Sequence, residues 1–389
     1  MKILRIIFIF LFIGIIIVPL ILMDRKSTIS ETEKRVLASI PPVSLVADGK
    51  LNVKSIMKMP GYIDKYLNDR FGFRDQYITM MNNFSYYVLQ NKHNDDVFVG
   101  KDNWLFYINK RNGDSLSDFL KQNLLTDKQL QTTIDKIVEI DYFCDSHGIR
   151  FLFLIAPEKH SIYPEKYPFP RPEGNTQADQ VINALPEYLR GKVMYPRDYL
   201  VSKKPEHEQP LYYPNGTHWN ELGAYYVYQL LYNILKPDFP NIPDIEYKYS
   251  VYRDTGEDSI AYLSLKEKDI HPAELLKIEP FDGWESHYRY IKKTEKRTAE
   301  ETAARADIEP GRFSASTLNL DNRLPKALIF RDSFFLTLEP FTSCIFSAAE
   351  YVWDEGGKKN YNYILSQEPD VFILEIGERG LGQILSVSF

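Results

Sequence analysis

The chain of 389 residues has little cysteine and little histidine, and both shortages limit its chemistry. Its two cysteines, Cys144 and Cys344, lie far apart, and no CxxC pair or Cys/His cluster occurs, so the sequence indicates no structural zinc site. Cys144 falls in a predicted helix, which favours a buried thiol, although pairing in an oxidising compartment is an open alternative. The seven histidines show no ligand spacing, so a metalloenzyme fits poorly and we expect no cofactor.

Positive charge is not in excess either. The formal net charge is −6, which argues against binding nucleic acid. The chain is instead rich in tyrosine, with 27 residues. Tyrosine-rich surfaces suit sugars and peptides, but tyrosine also fills half-buried strand positions. With 44% hydrophobic residues, the chain can bury one large core or two ordinary ones.

One long hydrophobic run is present, near the amino terminus. Residues Ile6 to Met23 are apolar apart from Gly14 and Pro19, and as a helix they would span about 27 Å, close to the hydrocarbon thickness of a bilayer. Basic residues on the first flank weakly favour a cytoplasmic amino terminus. We therefore expect a single-pass anchor with the remaining chain outside the cytoplasm, at the cell membrane. A cleaved signal peptide is the rival interpretation.

The whole chain divides by composition into three parts. Residues 1–26 form the anchor with a short cytoplasmic tip, the polar, proline-containing residues 27–60 resemble a stalk, and residues 61–389 form the main domain. Apolar residues recur at helical spacing from Gly61 to Gln90. Residues 237–322 interrupt the alternation of strand and helix patterns in the domain, and they include the charge run 292–307. We interpret them as an insertion or lid, or as a long solvated excursion.

Within the main domain, strands and helices alternate. A strand is expected at 102–108, and continuous apolar or short strand patterns follow at 150–156, 192–196, 326–330, 350–353 and 370–376. A capping box at Thr126–Gln129 opens one helix, residues 178–190 form another, and a third begins after Asn220. This alternation predicts an α/β sandwich of three layers with a mostly parallel sheet.

Two polar residues stand where such a fold presents chemistry. Ser333 follows the apolar strand 326–330, and the carboxyl ends of parallel strands are where these folds bind ligands and place nucleophiles. His218 lies in a polar loop directly before a helix. A neutral imidazole could take the serine proton and return it to a leaving group. Taken singly, a serine after a strand is more often a helix cap, and a lone histidine is more often a packed residue.

Seven short motifs occur in a specific order. They are SETEKRVLA (30–38), YLNDRFGFRD (66–75), VFVGKDNWLFY (97–107), APEKHSIYPE (156–165), GTHWNELGA (216–224), RDSFF (331–335) and PDVFILEIGER (369–379). In this order the sequence resembles the AlgJ/AlgX-like (DHHW) family of SGNH-type polysaccharide O-acetyltransferases. The resemblance implies an SGNH-hydrolase-like fold with Ser333 as nucleophile and His218 as base. It also implies a polysaccharide substrate and a multi-span membrane acyltransferase that supplies the acetyl group.

The sequence departs from the family at one position. The family usually has aspartate two residues before the histidine, and Gly216 stands there in this chain. Loss of an orienting carboxylate can cost on the order of 10⁴-fold in rate. Asp332 or Glu378 could supply the carboxylate, Asn215 or a backbone carbonyl could hold the ring in a dyad, or the domain could be a degenerate glycan binder. Asp332 could instead simply brace the nucleophile turn.

Other residues are candidates for substrate contacts. Arg74 could meet an anionic sugar, Lys159 could line the crevice beyond a strand end, and Trp219 could stack on a sugar ring. Each also has a structural interpretation, as a salt bridge, a solvated lysine or a core tryptophan. Asn215 is a fourth candidate for binding substrate. The leading function is O-acetylation of an exported or cell-surface glycan. A carbohydrate acetylesterase and a non-catalytic glycan-binding protein are the alternatives.

Overall fold

A computed structural model describes residues 2–30, 35–39, 46–47, 50–51, 53–89, 93, 96–108, 113–254, 273–293, 314–353 and 361–386. The described residues form two compact units, one up to residue 89 and one from residue 93 onward. Most of the charge run predicted at 292–307 lies outside the described residues.

The first unit consists of three helices and two small ribbons. The helices are α1 (Lys2–Ile21), α2 (Val53–Arg70) and α3 (Arg74–Tyr87). The ribbons pair β1 (Ile29–Ser30) with β2 (Arg35–Val36) and β3 (Val46–Ala47) with β4 (Lys50–Leu51). Within the described part of the chain no helix has both the length and the hydropathy to cross a membrane, so the predicted transmembrane helix is not found. Helix α2 begins inside the segment predicted as a stalk, whose role stays a prediction.

The second unit opens with a hairpin. Strand β5 (Val97–Val99) pairs antiparallel with β6 (Leu105–Tyr107). The predicted strand over 102–108 therefore begins later than expected, because Asp102 and Asn103 adopt positive φ angles of 54° and 60° in the intervening turn. Such angles belong to turns rather than strands. Gly100 is required beside the turn, since a Cβ there would lie 2.3 Å from the carbonyl oxygen of Lys166.

A seven-stranded mixed sheet forms the centre of this unit. Its strands are β7 (Arg150–Ala156), β8 (Val193–Met194), β11 (Tyr288–Lys293), β12 (Ala315–Asn319), β13 (Lys326–Arg331), β14 (Ala348–Trp353) and β15 (Val371–Gly377). Their order is β11-β12-β14-β13-β15-β7-β8. The five strands from β14 to β8 run parallel, and β12 and β11 add an antiparallel edge.

Two hydrophobic clusters cover the two faces of the sheet. Alternate residues of one strand belong to different clusters, as Leu152 and Phe153 of β7 show. Helices α5 (Asp127–Ser146) and α7 (Gln177–Ala184) pack in one cluster, and α9 (Glu221–Leu235) packs in the other. Shorter helices complete the unit: α4 (Ser115–Phe119), α6 (Lys159–Ile162), α8 (Arg197–Lys203), α10 (Glu339–Ser343) and α11 (Tyr361–Gln367). The predicted α/β fold with a mostly parallel sheet is confirmed.

Local chemistry explains where elements begin and end. Thr126 and Gln129 form the predicted capping box of α5. The helix predicted over 178–190 was too long, because α7 stops at Ala184, and Leu185 is extended before Pro186. Both cysteines are buried and free, as favoured for Cys144.

The irregular segment 237–322 carries an antiparallel pair, β9 (Tyr247–Asp254) with β10 (Ala273–Pro280), and the two antiparallel edge strands of the sheet. Its role as an insertion or lid stays a prediction.

Candidate active site

Ser333 and His218 meet at the carboxyl end of the parallel sheet. Ser333 follows β13 and precedes the short 3₁₀ helix Phe334–Thr337, while His218 lies in the loop that leads into α9. The Nε2 atom of His218 is 2.8 Å from Oγ of Ser333, although the residues are 115 positions apart. Both side chains are half-buried, so the pair can meet a substrate from solvent. This is the geometry that a base and its nucleophile need.

Trp219 connects the histidine loop to the nucleophile turn. Its indole Nε1 donates a hydrogen bond of 2.9 Å to the carbonyl oxygen of Phe334, and the two rings meet edge to face. The ring of Phe334 also packs edge to face against His218. Trp219 is fully buried, which favours the interpretation as a core tryptophan over a stacking contact with a sugar. It acts as a brace between the two halves of the site.

Asp332 braces the nucleophile turn. Its Oδ1 accepts the N–H of Phe334 at 2.8 Å and its Oδ2 accepts the N–H of Gly377 at 2.7 Å. Its own N–H donates to Oε2 of Glu375. The turn after β13 is thereby tied to the end of β15.

Glu378, the other candidate acid, is fully buried and engaged elsewhere. Its Oε2 accepts the N–H of Glu158 at 2.9 Å, and its Oε1 accepts the hydroxyl of Tyr195 at 2.8 Å. Among the residues that the structure describes, neither Asp332 nor Glu378 bonds to the ring of His218. The geometry therefore favours neither carboxylate as the orienting acid.

The loop before His218 leaves no room for the usual aspartate. A Cβ on Gly216 would lie 2.9 Å from Cβ of Tyr213, closer than side chains pack. Thr217 does not replace the carboxylate, because its Oγ1 is 2.9 Å from Nδ1 of His218 but also 3.4 Å from Nε2. An oxygen in line with an Nδ1–H bond would be much farther from Nε2, so this hydroxyl lies beside the ring.

The other residues predicted to contact substrate do not all belong to the same unit. Lys159 and Asn215 are 3% and 4% exposed, so neither presents its side chain to a solvent-borne sugar. Lys159 donates to backbone carbonyls of the histidine loop. Arg74 opens α3 in the first unit, whereas the other candidates lie in the second. Its proposed contact with substrate stays a prediction.

A second polar cluster lies buried beyond the ends of β7 and β15. In the described part of the chain, ligand atoms of Asp118, His160 and Glu378 come within 4.8 Å of one another and could hold a metal ion. His160 Nε2 is already 3.0 Å from Oδ2 of Asp118. Burial lowers the pKa of His160 to about 3 and raises the pKa of Asp118 to about 6. A neutral imidazole bonded to a carboxyl therefore accounts for this contact without a metal ion.

Two carboxyl groups near the site were not identified as candidates from the sequence. Glu158 pairs with Arg379 at 3.2 Å, yet burial raises its pKa to about 7. Glu375 is buried within β15, and burial followed by the charge of Asp332 raises its pKa well above the ordinary value. An acidic residue inside an apolar strand was the available signal for Glu375, because an unpaired charge is costly there. Nothing local distinguished Glu158.

Part of the sequence is similar to a known protein family. Residues 97–259 match the family described as the SGNH hydrolase-like domain of the acetyltransferase AlgX, a span that includes His218 and ends before Ser333. No curated protein matches the sequence.

Solved structures are similar in fold. PatB1 of Bacillus cereus with a sulfonyl adduct has a TM-score of 0.55 and 18% identity, covering 76% of this chain and 100% of that chain. A DHHW family protein of Eubacterium siraeum has a TM-score of 0.50 and 12% identity, covering 75% and 95%. At such identities the likeness shows the fold alone. With the match over 97–259, the resemblance that the ordered motifs predicted, to the AlgX- and AlgJ-like SGNH-type acetyltransferases, is confirmed.

Proposed function

We propose that this protein is an O-acetyltransferase that moves an acetyl group through an ester on Ser333 to a hydroxyl of a polysaccharide. The contact of 2.8 Å between His218 Nε2 and Ser333 Oγ carries the proposal. The match to an acetyltransferase domain family supports the acyl group and the substrate class. A Ser–His pair on half-exposed side chains suits acyl transfer because both partners can reach a bound ester.

The reaction would proceed in two balanced steps. His218 takes the proton of Ser333 through Nε2 while Oγ attacks the acetyl carbonyl, and the donor's leaving group departs with that proton. In the second step a sugar hydroxyl gives its proton to His218 and attacks the ester carbonyl. The C–O bond to Ser333 breaks, and Oγ regains a proton. The acetyl group then rests on the sugar and the enzyme is restored.

The backbone around the nucleophile limits where the oxyanion can be stabilised. The N–H of Phe334, directly after the nucleophile, is donated to Asp332, and the N–H of Asp332 is donated to Glu375. Neither donor is free for the developing negative charge. Oxyanion donors must therefore come from other groups facing Ser333 Oγ.

Transfer competes with hydrolysis at the same ester. If water reaches the acetyl-serine before a sugar does, the protein is a carbohydrate acetylesterase, and exclusion of water decides between the two. A non-catalytic glycan-binding role would need neither the Ser333 hydroxyl nor its contact with His218. The short contact between them therefore favours chemistry over binding alone.

We also propose that the domain works outside the cytoplasm, held at the cell membrane through the apolar run at Ile6–Met23. Exported glycans lie there, whereas acetyl-CoA is cytoplasmic, so a multi-span membrane acyltransferase would pass the acetyl group across. Protease added to intact protoplasts should degrade the domain and leave a cytoplasmic marker whole. Protection of the domain in intact protoplasts, with digestion after lysis, would contradict this location.

Mass spectrometry of the whole chain tests the proposed chemistry directly. After exposure to a reactive acetyl ester, we expect one acetyl adduct that maps to Ser333. Ser333→Ala and His218→Ala should form no adduct while keeping native circular dichroism. Ser366→Ala, which removes an exposed hydroxyl on α11, serves as the matched control and should react like the wild type.

The fate of the adduct then distinguishes the functions. Loss of the adduct only when a polysaccharide is added, with acetyl recovered on the sugar, supports transfer. Equal loss in buffer alone indicates an esterase. A folded wild-type protein that never forms the adduct would defeat the enzymatic proposal and favour a glycan-binding role.

A further inference from the structure

Lys159 occupies an unusual position for a lysine. It is the first residue of α6, three residues after the end of β7, and only 3% of it is exposed. Its Nζ donates to the carbonyl oxygens of Tyr213, Pro214 and Gly216 at 3.0, 3.0 and 2.5 Å. An ammonium group has three N–H donors, so three carbonyls of one loop can receive them.

The surroundings of Lys159 suit a buried cation. Its Nζ lies 5.6 Å from the ring centroid of Trp104 and 5.1 Å from that of Phe106. Aromatic faces attract a cation most strongly where water is excluded. Together the rings and carbonyls offset the cost of burying the charge.

The three acceptors belong to the loop that carries the base. The N–H of Tyr213 donates to the carbonyl oxygen of His218 at 3.2 Å, so the loop closes on the histidine itself. The N–H of Gly216 donates to Tyr213, and the carbonyl of Pro214 also accepts from Leu105 of β6. Fixing these carbonyls therefore fixes the backbone from which the imidazole projects.

We propose that Lys159 is a positioning residue for His218, a role that rests on the proposed acyl transfer. It links the end of strand β7 to the histidine loop and so sets the ring at Ser333. The imidazole projects from the backbone of this loop, so its distance to Ser333 Oγ depends on where the loop lies. Lys159 acts through this backbone and does not touch the substrate.

The test compares acylation by a reactive acetyl ester in the wild-type whole chain and in Lys159→Met. Methionine has a similar length but no donors. We expect kcat for acylation to fall about 100-fold, the scale of a misplacement by about 1 Å, with KM for the ester little changed. Lys166→Met is the matched control, because its Nζ also lies over Trp104, at 5.4 Å, but pairs with the exposed Asp102. This control should react at the wild-type rate.

The outcomes separate this inference from the function on which it rests. A wild type without adduct defeats the proposed function. A wild type that reacts, together with Lys159→Met within about threefold of its kcat, overturns the positioning role alone. A raised KM at unchanged kcat would also overturn it, since that pattern marks a substrate contact.

Folding needs a separate check. If Lys159→Met does not fold, Lys159→Arg replaces it under the same criteria, because arginine keeps the charge but spreads its donors in a plane. Failure of both variants to fold would overturn the proposal, since Lys159 would then serve the fold rather than the base.

Discussion

At the scale of single residues, the site depends on side chains whose polar atoms are used in different ways. Asp332 is occupied by two backbone N–H groups, and Trp219 by a backbone carbonyl. Ser333 and His218 stay half-exposed. Trp219 is fully buried and Asp332 is half-buried, and the polar atoms of both are used in hydrogen bonds to the backbone. Asp332 and Trp219 were candidates for roles in the chemistry or in substrate binding, and in the structure their hydrogen bonds hold the nucleophile turn in place.

Gly216→Asp should destabilise the protein instead of restoring a triad. The new Cβ would press on Tyr213 at 2.9 Å, and such overpacking costs about 1–3 kcal/mol in the free energy of unfolding. Thermal denaturation should therefore show a lower midpoint, and acylation should be slower. Gly191→Asp is the control, because nothing lies within 4 Å of that Cβ. An unchanged midpoint with faster acylation would contradict the expectation.

His160 should make stability fall in acid. Burial lowers its pKa to about 3 from 6.5, so the folded state binds fewer protons at this ring than the unfolded chain does. Its contribution is complete above about pH 6.5 and is lost as the pH falls towards 3, by at most about 1.4 kcal/mol per pH unit. The raised pKa values of Asp118 and Glu158 act in the opposite direction.

The variant His160→Gln isolates this contribution. Between about pH 7 and pH 4, its free energy of unfolding should change less with acidification than that of the wild type. Denaturant titrations at several pH values measure the difference. Parallel curves for the two proteins would show that His160 is not the group that resists protonation.

At the scale of elements, the two halves of the site come from a loop and a turn that are far apart in sequence. The loop before α9 carries His218, and the turn after β13 carries Ser333. Trp219 joins them directly, and Asp332 ties the turn to β15. Precision in the site therefore depends on cross-links between elements more than on any one element.

Trp219→Phe should loosen this cross-link. It removes the indole N–H and leaves the buried carbonyl of Phe334 without that donor, which costs about 1–3 kcal/mol in the free energy of unfolding. We expect acylation to slow as well, because the histidine loop loses its link to the nucleophile turn. Trp284→Phe, in the aromatic cluster near Tyr247 and Phe341, should leave acylation unchanged. Equal effects of both substitutions would argue against the brace.

At the scale of the whole molecule, both large clusters belong to the second unit. Their buried members run from Phe98 to Leu381, and they cover the two faces of one sheet. A sheet with both faces covered is the usual condition for parallel strands. The candidate site therefore stands on a core that is complete within one unit.

A chain starting at residue 92 should therefore fold by itself. All the buried residues of both clusters are retained, so we expect a cooperative thermal transition and native circular dichroism. The same chain should form the acetyl adduct at Ser333. A gradual, non-cooperative melt would show that residues before 92 are needed to complete the fold.

The sequence by itself determined much of the fold and singled out the two residues that we propose react. Apolar strand runs such as Arg150–Ala156 and the Thr126 capping box are local signals, and both elements formed where the pattern placed them. Ser333 and His218 were visible because ordered motifs mark a strand end and a loop before a helix. Local patterns also placed Cys144 correctly as a buried thiol.

Only the tertiary structure decided what the surrounding residues do. Asp332, Trp219 and Lys159 had plausible active-site roles in sequence, and each instead bonds to backbone groups brought near by the fold. The antiparallel edge of β11 and β12 also could not be predicted, since its pairing joins distant segments. Burial and hydrogen-bond partners depend on contacts between residues far apart in the chain, and a local pattern cannot specify them.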